Sequence, residues 1–281
     1  MEPHLEQIRE QQKQSWNKFS GGWKKWDELV MDFLKPMGDE IIRSINPKST
    51  DYILDIASGT GEPGLTIAEK LSNGQIILTD LADDMLKIAR ENAALRGIKN
   101  IETMTCDVSE LPFLNNTFDA ISCRFGFMFF PDMELAAKEM VRVLKPGGRI
   151  ATAVWNGPEK NFWITATTGT INRNLELLPP PAGSPGIFRC AEDGFLAAIF
   201  AKAGLKNIKQ TEIVGKLNCK TADAYWEMQT EVAAPIVAAL SSTSDEMREK
   251  IKKETYAIVN EKFPDGNVVI DSSAWVVYGE K

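Results

Sequence analysis

The chain reads as an α/β protein built on a doubly wound, mostly parallel sheet, and two observations carry that expectation. From residue 51 to about 155, short apolar runs alternate with segments of helical period, the pattern of a parallel sheet with helices on both faces. Within that stretch YILDIASGTGEPGLTIAEKL, residues 52–71, changes period in its middle. Ile53, Leu54, Ile56 and Ala57 suit a strand covered on both faces, whereas Leu65, Ile67, Ala68 and Leu71 recur at helical spacing. Between them lies Ser58-Gly59-Thr60-Gly61-Glu62-Pro63-Gly64. Glycine admits positive φ and a close ligand, and Pro63 suits a helix's first turn, where its missing N–H is no loss. A strand, a glycine turn and a helix N-terminus make a nucleotide site.

In chain order, the leader to residue 45 is expected to be an N-terminal helical flap. Its Trp16, Phe19, Trp23 and Trp26 are spaced three, four and three apart and share one face if helical, with Gly21-Gly22 offering either a hinge or a continuous helix. Strands follow at 52–57, 75–79, 100–105, 118–123 and 149–155, and helices at about 62–71, 83–96 and 132–144. The last helix is stopped by LKPGGR, where Pro146 and two glycines intervene. Residues 156–190 break the rhythm with NGPEKNFW, a helix through 178, and LPPPAGSPGIF. That Pro/Gly-rich connection reads as a lid or substrate wall, or as a plain surface loop. A helix at 191–203, a strand at 207–215, helices at about 221–240 and 243–262, and a closing strand at 268–278 complete the chain.

Composition narrows the chemistry. With 281 residues, 43% of them hydrophobic, a sizeable core is expected. No apolar run spans a bilayer and MEPHLEQIREQQKQSW lacks the apolar block of a secretory signal, so a cytoplasmic protein without stable membrane insertion is expected. A net charge of −7 disfavours nucleic acid as a partner and favours a small molecule, with a homodimer possible. Cys106, Cys123, Cys190 and Cys219 are scattered and the only histidine is His4, so neither a metal site nor a Ser-His-Asp or Cys-His arrangement is expected.

GTGEPG fits G-x-G-x-x-G at Gly59, Gly61 and Gly64, with Asp80 ending the second strand about 20 residues further on, as a ribose-binding acid should. Alone, this suits an NAD(P) site and an S-adenosylmethionine site equally. LADDMLKIAREN then offers Asp83 as an N-cap and Met85 turned toward the ligand, and CDVSELPF puts Asp107 at the end of the third strand. Taken together, ILDIASGTGEPG, TDLADDML, CDVSELPF, FDAISC and EMVRVLKPGGRI resemble, in order and spacing, the class I S-adenosylmethionine-dependent methyltransferases, most closely the ubiquinone/menaquinone-biosynthesis type and its small-molecule relatives. The likeness covers about 45–215.

The resemblance implies a seven-stranded sheet of order 3-2-1-4-5-7-6 with the seventh strand antiparallel, and a methyltransferase domain over 46–281 with substrate-lid insertions at about 156–190 and 221–262. It implies S-adenosylmethionine as cofactor and S-adenosylhomocysteine as product. By motif, Gly59 and Gly61, with Ala57, would admit the methionine moiety and ribose. Asp80 would bind the ribose hydroxyls, Leu81 and Met85 would pack on the adenine, and Cys106, Asp107 and Val108 would meet the adenine edge. Asp55 would orient the glycine loop or reach the ligand's amino group through water. An oxidoreductase would leave CDVSELPF and LKPGGRI unexplained. A protein that binds the cofactor without methylating stays open, since such motifs report binding.

Methyl transfer from a sulfonium is an in-line displacement on an activated carbon, so alignment and a dry pocket suffice where the acceptor is already nucleophilic. No general base stands out. CRFGFMFFPD places Arg124, the one candidate for a catalytic role, with Phe125, Phe127, Met128, Phe129 and Phe130 where the methyl group should point. Arg124 would bind an anionic acceptor or the cofactor carboxylate, or pair with a structural acid. In the leader, Phe19 and Trp23 would close over the sulfonium, and Trp155, Phe162, Trp163, Phe188 and Tyr225 are candidate walls for an apolar or aromatic acceptor; for each, ordinary core packing is the competing reading.

Overall fold

The computed structural model of the protein describes residues 3–177, 181 and 183–281. Residues 178–180 and 182, which the expected lid includes, lie outside them. In chain order the elements are α1 (Pro3–Lys25), α2 (Asp27–Ile45), β1 (Tyr52–Ile56), α3 (Gly64–Ala68), β2 (Gln75–Asp80), α4 (Asp83–Leu95), β3 (Ile101–Thr105), β4 (Phe118–Arg124), α5 (Met133–Val143), β5 (Leu144–Trp155), α6 (Phe162–Leu175), α7 (Phe195–Lys202), β6 (Lys206–Lys220), α8 (Ala222–Val232), α9 (Ala234–Ser241), α10 (Asp245–Lys262) and β7 (Val268–Glu280).

The strands form one sheet in the order β3-β2-β1-β4-β5-β7-β6. β1 to β5 run parallel, and β7 lies antiparallel between β5 and β6. The central strands are buried along nearly their whole length, as a parallel sheet covered on both faces requires. The order and the reversed last strand are those the motif resemblance implied.

Several elements depart in detail from the sequence reading. The LKPGGR turn sits inside β5, which starts at Leu144 and takes up the extra residues as a register shift against Phe118 and Ala120 of β4. Gly147 has a φ of 77°, so it carries the turn without Cβ strain. α4 starts at Asp83 itself, and its N-cap is Ala82, which has no side-chain cap. Asp83 is therefore a first-turn acid that favours the helix dipole, and the Ala82 amide is taken by Asp80. α1 runs without interruption through Gly21-Gly22, and the break falls at Trp26.

The largest difference lies in residues 27–45, expected to belong to the flap. α2 packs on the sheet against β4, β5, β6 and β7 and buries Val30, Phe33, Leu34, Met37, Ile41, Ile42 and Ile45. Only α1 crosses the surface as a strap, against α4, α8 and α9. The inserted helices make a second, smaller core of Ile164 and Ile171 (α6), Trp226 (α8), Ile236 and Leu240 (α9) and Ile251 (α10), set beside the main one.

Candidate functional site

In a parallel sheet, loops leaving the strands' C-terminal ends open a crevice where the strand order reverses. Here the residues that follow β1, β2, β3 and β4 line one cavity of about 220 Å³ with Trp155 at the end of β5. α1, α2 and the α8–α9 elbow roof it.

The glycine turn and Asp80 form its polar end. Ala57, Gly59 and Gly61 take φ of 53°, 53° and 115°. A Cβ added at Gly59 would meet nothing within 4 Å, so this backbone faces open space. Gly64 is small for a different reason: its Cβ would lie 2.3 Å from Leu78 and 2.8 Å from the Asp55 carboxylate, where the helix crosses the sheet. The two Asp80 oxygens accept the amides of Gly59 and Ala82, each at 2.9 Å. Burial pushes the Asp80 carboxyl above its ordinary value, and the Ala82, Gly59 and Leu81 amides counter it. The acid is thus fixed by backbone at the strand end with lone pairs free for a ligand's hydroxyls. After β3, Asp107 caps a short helical turn by accepting the Ser109 amide at 2.8 Å. Leu81, Met85, Cys106, Asp107 and Val108 all line the same end. Burial raises the Cys106 thiol to about 11, which leaves it protonated and an apolar lining group.

Beneath the turn lies a charged cluster. Asp55 is fully buried, accepts Ser122 Oγ at 2.6 Å, and its second oxygen has no hydrogen-bond partner among the described residues. Burial raises its carboxyl to about 7, against the pull of Ser122 and Arg124. Arg124, at the end of β4, lines the cavity. Burial lowers its guanidinium's pKa while Glu62, Asp55 and Asp27 hold the charge in place. Its side chain sits 3.1 Å from the Met31 sulfur. None of the three acids pairs with it directly: Asp27 accepts Thr60 Oγ1, Asp55 accepts Ser122, and Glu62 pairs with Arg96.

The other end of the cavity is aromatic. Phe125, held at φ 60°, stacks on Trp155 with centroids 4.2 Å apart, and Trp155 packs against Trp163 at 4.8 Å and Phe33 at 5.7 Å. Met31, Met128 and Met228 fill the gaps between these flat faces. From α1, Trp16 contacts Phe129 edge-on at 5.3 Å and Trp23 at 6.2 Å. The elbows are joined by Glu231 of α8, whose oxygens accept Lys25 Nζ at 2.8 Å and Trp26 Nε1 at 2.7 Å.

Of the residues singled out in the sequence, Ala57, Gly59, Asp80, Leu81, Met85, Cys106, Asp107, Val108, Arg124 and Trp23 meet in this one cavity, as do Trp155 and Trp163. Phe19, Asp55 and Gly61 do not line it: Phe19 is a buried residue of α1, Asp55 lies under the glycine turn, and Gly61 faces Leu65 and Ala89. Phe127 and Tyr225 are fully buried core groups, and Phe162 and Phe188 pack outside the cavity. Sequence reasoning missed Arg9 and Gln12 of α1 and Met31, Phe33 and Leu34 of α2. The α2 residues carried a signal, since Val30, Phe33, Leu34, Met37 and Ile41 recur at three- and four-residue spacing.

Residues 26–163 match the model of the ubiE/COQ5 methyltransferase family. Among curated relatives, the demethylmenaquinone methyltransferase of Thermus thermophilus is 39% identical over 113 residues, covering 40% of this chain and 51% of that protein. The ubiquinone/menaquinone biosynthesis C-methyltransferase UbiE of Rickettsia peacockii is 38% identical over 162 residues, covering 52% of this chain and 64% of that one. The chain spans about half the length of the curated relatives it matches. Among solved structures, Bacillus subtilis YcgJ superimposes with a TM-score of 0.59 at 20% identity over 87% of this chain and 97% of its own. The [4+2]-cyclase SpnF does so with 0.53 at 18% over 87% and 79%. The structural likenesses establish a shared fold, and the family match bears out the resemblance read from the motifs.

Proposed function

We propose that this chain, whose residues 26–163 match the ubiE/COQ5 methyltransferase family, transfers a methyl group from S-adenosylmethionine to a small aromatic acceptor and releases S-adenosylhomocysteine. The observation that supports it best is the single cavity in which a backbone-fixed Asp80 and an open glycine turn face one end and stacked aromatic rings the other. The residues present fit the cofactor: Asp80 for the ribose hydroxyls, Leu81, Met85 and Val108 for the adenine faces, Asp107 for its edge, and the turn at 57–60 for the methionine end. When bound, that cofactor supplies a methyl group already activated on sulfur.

The protein's part is then to align and to exclude water. Phe33, Phe125, Trp155 and Trp163 pack on one another as a rigid aromatic wall beside which a planar guest would lie, and the roof keeps the reacting end dry. Arg124, which lines the cavity from the charged cluster beneath the turn, would supply a positive charge to an acceptor oxygen that carries negative charge. The names of the curated relatives point to a quinone-type ring as the acceptor.

Binding separates this reading from an oxidoreductase. At about 100 times Kd a ligand adds about 2.7 kcal/mol to folding stability. S-adenosylhomocysteine is expected to raise the melting temperature of the wild type and NADH to leave it unchanged. Asp80→Ala should weaken S-adenosylhomocysteine binding by at least about 1.5 kcal/mol by calorimetry, since charge-assisted bonds to hydroxyls are lost. Stabilisation by NADH alone would end the reading. Turnover is read by mass spectrometry of a quinol gaining one methyl group. Binding without such gain favours a role like that of the cyclase SpnF, which shares the fold without being named a methyltransferase.

A further inference from the structure

α1 brings to the cavity two residues, Arg9 and Gln12, that the cofactor assignments above do not use. Arg9 Nη1 donates to Asp107 Oδ2 at 3.1 Å across 98 residues of sequence, and both Arg9 and Gln12 line the cavity. The Asp107 carboxylate is thus held from two sides, by the Ser109 amide of its own turn and by a guanidinium from the strap. α1 is fastened further along the same groove. Asn17 accepts the Asp84 amide at 3.1 Å, and Lys24 pairs with Glu91 at 2.7 Å, both on α4, the helix that carries Met85. The strap therefore lies across the adenine end of the cavity, and Arg9 is where it meets a residue facing the ligand.

We propose that Arg9 is a positioning residue of the cofactor site: it fixes the Asp107 carboxylate and latches α1 over the adenine end, so that ligand enters and leaves when the Arg9–Asp107 contact opens. This rests on the S-adenosylmethionine reading of the cavity. The pair keeps 28% and 13% side-chain exposure, and partly exposed ion pairs contribute little to global stability, so removing it leaves the fold intact. It acts instead on the opening of the strap, which governs the rates of exchange more than the equilibrium. Lysine keeps the charge but loses the fork that grips a carboxylate, so Arg9→Lys restores only part of the latch. The pair is also screened by salt, so wild-type release quickens more steeply with ionic strength than release from Arg9→Ala, which keeps only the Lys24–Glu91 and Lys25–Glu231 pairs of the strap.

The test follows dissociation of tritiated S-adenosylhomocysteine chased with excess unlabelled ligand. Arg9→Ala is expected to release it about tenfold faster than wild type, Arg9→Lys to fall between them, and Arg9→Ala to add less than about twofold in an Asp107→Asn background. Release from Arg9→Ala within about twofold of wild type, or an equal acceleration in both backgrounds, overturns the proposal. Hydrogen exchange of residues 3–16 without ligand supplies an independent arm. Exchange there should quicken in Arg9→Ala and in Asp107→Asn, and unchanged exchange in Arg9→Ala also overturns the latch. If the wild type itself binds no S-adenosylhomocysteine, the cofactor reading fails, and the exchange arm still decides whether Arg9 holds the strap.

Discussion

Asp80 was legible as a site candidate because it ends the second strand about 20 residues beyond the glycine turn. The structure fixes its carboxylate with the Gly59 and Ala82 amides. Asp55, one strand over, was expected to orient the glycine loop or to reach a ligand's amino group through water; it lies in the floor beneath that loop, where burial pushes its carboxyl up to about 7. The sign of its effect on stability follows from that direction. Between the ordinary carboxylate value of 3.8 and about 7, the folded state binds more protons at this site than the unfolded chain does. Its contribution is therefore fully present below that window and is lost as pH rises through it, by about 1.4 kcal/mol per pH unit. Chemical denaturation of wild type and Asp55→Asn from pH 5 to 8 should show wild type losing ground to the variant as pH rises up to about 7, then holding level. Arg9 was illegible for a simpler reason: its partner is 98 residues away, and no local pattern reports such a contact.

At the scale of elements, the parallel core was readable because strands buried on both faces announce themselves as continuous apolar runs. α2 shows how a correct periodic signal can be overlooked: its apolar positions follow a regular helical stripe, but the tryptophans just before it drew the whole leader into one flap. What separates the two helices physically is what each buries. α2 buries an apolar face on the sheet, whereas α1 is held by the aromatic contacts of Trp16, Phe19 and Trp23, by ion pairs and by one very close approach to α8. A Cβ at Gly22 would lie 2.0 Å from the Glu231 carbonyl oxygen, a backbone atom that cannot turn aside. Gly22→Ala should therefore push the helices apart at a cost of about 1–3 kcal/mol. Limited proteolysis is expected to cut within 3–25 sooner in this variant, with the sheet still resistant.

For the molecule as a whole, the order of the strands could be anticipated only through the family's motifs, because no residue pattern states which strands are neighbours. The helical layer of α6, α8, α9 and α10 was visible as elements but not as a second core, which forms only when distant apolar faces meet. The division of labour between the two N-terminal helices predicts an asymmetric truncation result. Removing residues 1–25 should leave cooperative unfolding and a native-like circular dichroism spectrum while weakening ligand binding. Removing 1–45 should abolish cooperative unfolding, since Phe33, Met37, Ile41 and Ile45 leave the core with α2. The tryptophans carry one more consequence. Of the seven in the chain, Trp16, Trp23, Trp155 and Trp163 line the cavity, two on the strap and two in the walls. The ultraviolet emission of the protein is thus largely a signal from its binding site. With Trp→Phe replacements, the strap and the walls become separate optical channels, through which closure and occupancy are followed in one unlabelled sample.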